Sequence, residues 1–439
     1  MARTVLFGAT GYTGRLVADA MVERGMRPVL AARGREALEQ MAGELGGLET
    51  AVADVSQPAT VRALVERGDV LLTTVGPFGR WGDPAADAAS AAGAHYIDST
   101  GEPAFIRSVF ERFGPVAGRS GSAMLTAMGY DWVPGNLAGA LALDRAGDGP
   151  VRVDVGYFIS GKAEMSGGTM ASTVSSIGAK GFAFRDGAVQ TERAARRVRG
   201  FDVGGRKRDG VSVGSSEHFG LPRVAPQLRE VNVYLGWFGP MARPMQLLSL
   251  GMSAPGAGSL MEALGRRFVK GSTGGPDAEQ RSRSGSHVVA IAYDSRGAEL
   301  ARSELTGVNG YTFTGRMLAW AADRAVGGVL RGTGALGPVE AFGLAELTEG
   351  CRWAGIEEQG ARPEASQPQR AAVECAGRPP AAGRARRRRA RGADRRAGGG
   401  QRRRRRGHRP GRSARDRIAG GRSAQLAPAG RPADDLGVP

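Results

Sequence analysis

The chain has two cysteines, Cys351 and Cys375, in 439 residues. One pair cannot make the multi-bridge framework of a stapled, secreted fold. No apolar run reaches the roughly 18 residues of a membrane-spanning helix. Near the N-terminus the apolar stretch Val5-Leu6-Phe7 is too short to be a secretory leader. The expected location is therefore the cytoplasm, with peripheral membrane contact left open. Histidines are few as well: His95, His218, His287 and His408 are dispersed without ligand spacing, so no metal is expected.

Charge of both signs is present, and its distribution matters more than its sum of +17. Residues 359–439 hold 22 Arg, no Lys and 6 acids, a net of +16, which leaves +1 for residues 1–358. The tail has no Phe, Tyr or Trp. Such a segment buries too little apolar surface to offset chain entropy and is expected to be disordered. An arginine-rich arm held by counterion release from phosphates is one reading. The missing aromatics argue against base stacking, and the Arg, Ala, Gly and Pro bias suits an inert tail or GC-rich DNA read in a wrong frame. No specific nucleic-acid partner is expected.

Ahead of the tail the pattern is strand, glycine turn, helix. Thr4-Val5-Leu6-Phe7 suits a buried parallel strand. Gly8-Ala9-Thr10-Gly11-Tyr12-Thr13-Gly14 follows, and then Leu16, Val17, Ala20 and Met21 recur at helical spacing before Gly25. Glycines at this spacing let a backbone turn sharply and approach a pyrophosphate, whose charge meets the free N–H groups of the helix start. The second strand, 28–32, ends at Arg33, where an acid would bond the ribose 2′-hydroxyl of NAD. A guanidinium there favours the 2′-phosphate of NADP. A third strand (50–55) puts Asp54 where it could accept from the adenine amino group. A helix (58–68), a strand (70–75), a break at Gly76-Pro77-Phe78, a helix (83–92) and a strand (95–98) continue the alternation. This predicts an α/β fold with a Rossmann-type, doubly wound parallel sheet. Val75, Gly76 and Pro77 are expected beside the ribose and nicotinamide.

These residues resemble the saccharopine dehydrogenase-like oxidoreductases, a group that includes trans-acting enoyl reductases. The likeness is carried by GATGYTG (8–14), LAAR (30–33), residues 73–78, YIDSTGE (96–102), MGYDWVP (128–134), SGGT (166–169) and GALGPVEAFG (334–343). It runs through residues 1–358 and stops where the tail begins. The resemblance implies a nucleotide domain with an inserted α/β domain over the nicotinamide, and use of NADP(H). Two other enzyme types with a similar loop are excluded by residue. The four lysines, Lys162, Lys180, Lys207 and Lys270, have Phe158, Ser176, Val203 and Arg266 four positions earlier, so the Tyr-x-x-x-Lys pair of short-chain dehydrogenases is absent. Cys351 and Cys375 lie too late in the chain to be the nucleophile of a semialdehyde reductase.

From Val151 alternation appears at 151–157, 287–293 and 299–305, predicting antiparallel strands with one exposed face. Residues 314–325 read as a helix and the Gly- and Ser-rich 271–285 as a mobile loop. Reduction needs a proton donor beside the nicotinamide. Tyr130 and Asp131, at the exit from the nucleotide domain, are the first candidates, and Tyr157 with Lys162 the second. Alternatively, Tyr130 packs and Asp131 caps a helix starting near Pro134. Ser166-Gly167-Gly168-Thr169 is either a substrate-facing turn or a plain helix start. The apolar stretch 233–252 followed by Arg266, Arg267 and Lys270 fits a lipid-type substrate pocket, a membrane-facing surface, or a core helix.

The expected organisation is a dinucleotide-binding domain (1–130), a substrate-binding α+β domain with a C-terminal return segment (131–358), and the disordered basic tail (359–439). The expected activity is NADP(H)-dependent reduction of a C=C or C=O bond in a small-molecule or lipid-type substrate. The alternative is a non-catalytic NADP-binding sensor or scaffold.

Overall fold

The computed structural model describes residues 2–161, 166–167, 180–237, 239–251 and 274–360. Six short strands open the chain: β1 (Thr4–Phe7), β2 (Val29–Ala32), β3 (Thr50–Val52), β4 (Val70–Thr73), β5 (His95–Asp98) and β6 (Ala123–Leu125). With the return strand Gly334–Ala335 they form one parallel sheet in the order return strand, β6, β5, β4, β1, β2, β3. The order reverses at β1/β4, as in doubly wound dinucleotide folds. Every residue of β1, β2 and β4 is buried, because helices cover both faces of such a sheet. The helix Tyr12–Glu23 packs against Gly310–Val326, a contact pinned by the Arg24–Asp323 ion pair at 2.5 Å.

A second, mixed sheet is built from β7 (Arg152–Gly161), β8 (Lys180–Arg185), β9 (Ala188–Arg193), β10 (Val198–Val203), β11 (Arg206–Ser212), β12 (Glu230–Leu235), β13 (Ser284–Tyr293) and β14 (Glu299–Gly307), with Ile356–Glu358 on its edge. As expected, β13 runs antiparallel to both β7 and β14, while β7 also pairs with β12 in parallel and makes the sheet mixed. The expected exposed face is corrected in β13: Val288, Ala290 and Ala292 join the main core. Val289, Ile291 and Tyr293 pack with Phe158, Phe201, Val203 and Tyr234 in a second cluster. Alternation along β13 thus divides side chains between two cores rather than between core and water.

Boundaries moved where packing overrode the local pattern. The strand read over 70–75 ends at Thr73, because Thr74 and Val75 turn over the glycine loop. The helix read over 58–68 stops at Arg62. The helix read over 314–325 starts earlier, at Gly310, where the Asn309 side chain accepts from the Tyr311 N–H. Residues 278–282, read as part of a mobile loop, form a helical turn with a capping box at Asp277, and β13 starts at Ser284. Lys162, Gly168, Thr169, residues 271–273, Arg266, Arg267, Lys270 and residues 361–439 of the tail lie outside the described residues. Of the stretch 233–252, Val233 and Tyr234 are buried in β12, Trp237 is half-buried, and Met241 and Leu247 are exposed. Among the described residues no helix is long and apolar enough to cross a membrane.

Candidate functional site

Phe7, Thr73 and Asp98 stand in register across β1, β4 and β5, and Leu125 of β6 pairs with Ile97. The strands are parallel, so the segments that begin at Gly8, Thr74, Ser99 and Thr126 all leave from one edge. Ligands of open α/β sheets bind at that edge.

The glycine loop is shaped by what its glycines lack. Gly8 has φ +91°, and a Cβ there would stand 2.8 Å from Thr74 Oγ1 and 2.9 Å from Val75 Cγ2. A Cβ on Gly14 would lie 2.1 Å from the Gly8 carbonyl oxygen, so helix and turn touch backbone to backbone. Ala9 is buried under the loop, while Thr10 and Gly11 are exposed. Gly11 is the N-cap of the helix Tyr12–Glu23 and provides no side-chain cap. First-turn N–H groups, those of Tyr12, Thr13 and Gly14, therefore lack a capping side chain and face the sheet edge with the positive end of the helix dipole. These features fit a pyrophosphate.

Arg33 is exposed just past β2. Asp54 lies beyond the end of β3, and its Oδ1 accepts from the Ser56 N–H and hydroxyl at 2.8 Å each. Those bonds, then the charge of Arg33, hold the Asp54 carboxyl below its ordinary range. Arg33 and Asp54 therefore come together, while Asp54 keeps one oxygen for other partners. Past β4, Val75 is half-buried and Gly76 exposed, and Pro77 caps the short turn Phe78–Trp81. The Glu102 carboxylate accepts from the Phe78 N–H at 2.7 Å and the Gly79 N–H at 2.9 Å. The sequence held no sign of this clasp beyond an acid 24 residues downstream.

Asp98 is fully buried and organises the next segment. It accepts from the Thr100 N–H, the Ala127 N–H and the Thr126 hydroxyl at 2.8–2.9 Å. Burial pushes it up to about 6 against those donors. The segment so held leads to the two first-choice catalytic residues, which the structure separates in character. Tyr130 is buried, its hydroxyl donates to the Phe158 carbonyl at 3.2 Å, and its ring packs on Tyr157, Trp237 and Phe313. Burial raises its phenol above the ordinary value. Asp131 does not cap the helix Val133–Ala146, whose N-cap is Trp132. Its carboxyl lies against Gly101, where a Cβ would be 2.9 Å from Oδ2. Its Oδ1 is buried with no hydrogen-bond partner among the described residues. Burial pushes this carboxyl up to about 7.

The second-choice residue Tyr157 sits mid-strand in β7 rather than at its end, and it is fully buried. Its hydroxyl meets the Gly135 N–H at 2.7 Å, the Trp132 carbonyl at 3.0 Å and Glu217 Oε1 at 2.7 Å. Glu217 escaped the sequence reading because an acid in the first turn of a short helix, Glu217–Val224, looks like a solvated end. At the start of the first helix, the Tyr12 hydroxyl donates to the Pro276 carbonyl at 2.5 Å, and Arg281 donates to both oxygens. The second sheet's domain thus touches the glycine loop. Ser166 donates its N–H to the Tyr311 hydroxyl at 2.7 Å, and the Tyr311 ring packs edge-on against Tyr12. Cys351 is fully buried, which raises its thiol above the ordinary value.

Residues 8–100 match a family model described as NAD(P)H-binding. A trans-acting enoyl reductase of Mycobacterium leprae is 40% identical over 139 residues, covering 30% of this chain and 33% of that one. A Mycobacterium tuberculosis protein provisionally named a trans-acting enoyl reductase is 36% identical over 180 residues, covering 38% and 42%. The chain therefore carries an NAD(P)H-binding segment and is similar, over part of its length, to trans-acting enoyl reductases. Its aligned part spans less than half the length of those relatives, narrower than the likeness expected over 1–358. The fold likeness reaches further. A homospermidine synthase from Legionella pneumophila, in complex with NAD, aligns at TM-score 0.54 and 10% identity over 85% of this chain and 95% of its own.

Proposed function

We propose that the chain reduces a C=C or C=O bond with NADPH, in a hydrophobic or lipid-type substrate. In this reading Gly8, Ala9, Thr10, Gly11, Tyr12, Thr13 and Gly14 form the pyrophosphate cradle: the N–H groups of Gly8, Ala9 and Gly11 are used by the Ala31 and Gly8 carbonyls to shape the turn, and those of the helix start from Tyr12 to Gly14 meet the phosphates. Arg33 meets the 2′-phosphate, Asp54 the adenine, and Val75, Gly76 and Pro77 the ribose and nicotinamide. A nicotinamide cofactor bound there supplies the hydride. Asp131 supplies the proton, and Tyr130 serves as an apolar wall with Trp237 and Phe313.

One observation carries the reading: on half-buried Asp131, a buried Oδ1 without a hydrogen-bond partner among the described residues, in a carboxyl pushed up to about 7. An acid with that value is partly protonated at neutral pH and still gives its proton readily, which is what general acid catalysis needs. The hydrophobic substrate is supported by the aromatic cluster that Tyr130 forms with Trp237 and Phe313 and by the names of the enoyl reductase relatives.

NADPH oxidation measured against a panel of enoyl and keto thioesters tests this directly. We expect turnover on at least one, and Asp131→Asn should lower it about 10²- to 10³-fold with NADPH affinity unchanged. NADPH binding without oxidation of the cofactor by any substrate would instead favour the sensor or scaffold.

A further inference from the structure

The Tyr157 hydroxyl has more partners than an ionised neighbour would allow. A phenol carries one proton and can accept two hydrogen bonds. The Gly135 N–H can only donate to it, and the Trp132 carbonyl can only accept from it. The phenol's single proton therefore goes to Trp132, and the 2.7 Å contact with Glu217 Oε1 is complete only if the carboxyl brings a proton of its own. Were Glu217 ionised, it would take the phenol proton, and the Trp132 carbonyl would face a bare lone pair at 3.0 Å.

We propose that Glu217 is a positioning residue that works as a neutral acid: it donates to Tyr157, which can then clamp the 132–135 backbone that carries Asp131. Trp132 follows Asp131 directly, and its carbonyl also accepts from the Asn136 side chain at 2.9 Å. Two side chains thus fix the start of the helix Val133–Ala146, and with it the direction of the Asp131 carboxyl. The burial of Glu217, which is completely shielded from solvent, agrees with a neutral carboxyl and pushes it up to about 8.

The charged and titratable surroundings do not supply a counter-ion. From β7 comes Tyr157 and from the segment before the helix comes Asp131, whose charge raises Glu217 further. The other carboxyl oxygen, Glu217 Oε2, is buried without a hydrogen-bond partner among the described residues, and the Ser215 hydroxyl meets His218 Nδ1 at 3.1 Å. His218, next in the same helix, is driven down to about 3 by burial and stays uncharged. Arg185 on β8 is engaged by Glu230 and Asn232, and Glu340 from the helix Pro338–Phe342 pairs with Arg223 at 3.1 Å. No cation among the described residues pairs with Glu217.

The inference rests on Asp131 as the proton donor for its role in turnover, but its first test does not. A carboxyl that keeps its proton in the fold and loses it on unfolding binds more protons in the native state between about pH 4 and pH 8. Stability must therefore fall as pH rises through that window. Asp131 titrates there too, so urea midpoints are compared in Asp131→Asn and Asp131→Asn/Glu217→Gln at about pH 5.5 and pH 8.5. We expect the first variant to lose midpoint with rising pH and the second to lose clearly less. Equal slopes would overturn the proposal even if Asp131 proves catalytic. In the wild-type background, Glu217→Gln, which keeps a neutral donor, should retain most of the turnover that Glu217→Ala loses. Loss of turnover in Glu217→Gln equal to that in Glu217→Ala would also overturn it. If no substrate is turned over, the unfolding slopes still decide the protonation state.

Discussion

At the glycine loop the groups offered by the uncapped helix start are backbone N–H donors, and the loop holds no carboxyl or histidine. Around Asp131 the opposite holds, with two carboxyls, half-buried Asp131 with its buried Oδ1 and fully buried Glu217, pushed up by loss of solvent to about 7 and about 8. The loop's chemistry depends on the absence of side chains, and small additions damage it through sterics. The acid cluster depends on side chains brought together from Asp131, Tyr157 and Glu217, and small changes there act through protons. One region should therefore respond to added volume and little to pH, and the other the reverse.

Gly14→Ala should have the largest effect, because its Cβ would sit 2.1 Å from a backbone oxygen that cannot move independently. We expect NADPH affinity to fall at least about 100-fold, measured by cofactor fluorescence, with the same loss at every pH. Arg33→Ala comes next. Removing one exposed guanidinium should weaken NADPH about 10-fold and leave NADH unchanged. A parallel loss for both cofactors would mean that Arg33 does not face the 2′-phosphate. Glu102→Ala should be milder. It removes the acceptor of two N–H groups and should lower stability by about 1–3 kcal/mol in urea titration, with a smaller loss of cofactor affinity.

The same contrast explains what was legible beforehand. The loop and the first sheet were readable because strand, turn and helix are signalled within a dozen residues of one another. β1, β5 and the helix Asp83–Ala92 end where the local pattern ends. Glu102 and Glu217 were unreadable because their roles arise from partners 24 and 60 residues away. Tyr157 drew attention as an alternating strand residue, but only the packing of the helix Val133–Ala146 on β7 turns its hydroxyl into a backbone clamp. β13 misled for a related reason. Its pattern cannot reveal that a second cluster of Phe158, Phe201 and Tyr234 covers the face that looked free.

The most direct test is the pH dependence of NADPH-driven turnover in the wild type and in Asp131→Asn. With Asp131 as the proton donor, the wild-type rate should decline as pH rises through about 7, where the carboxyl loses its proton. The variant should be slower by about 10²- to 10³-fold and lack that decline. A variant that keeps the wild-type rate and the wild-type pH profile would contradict the assignment.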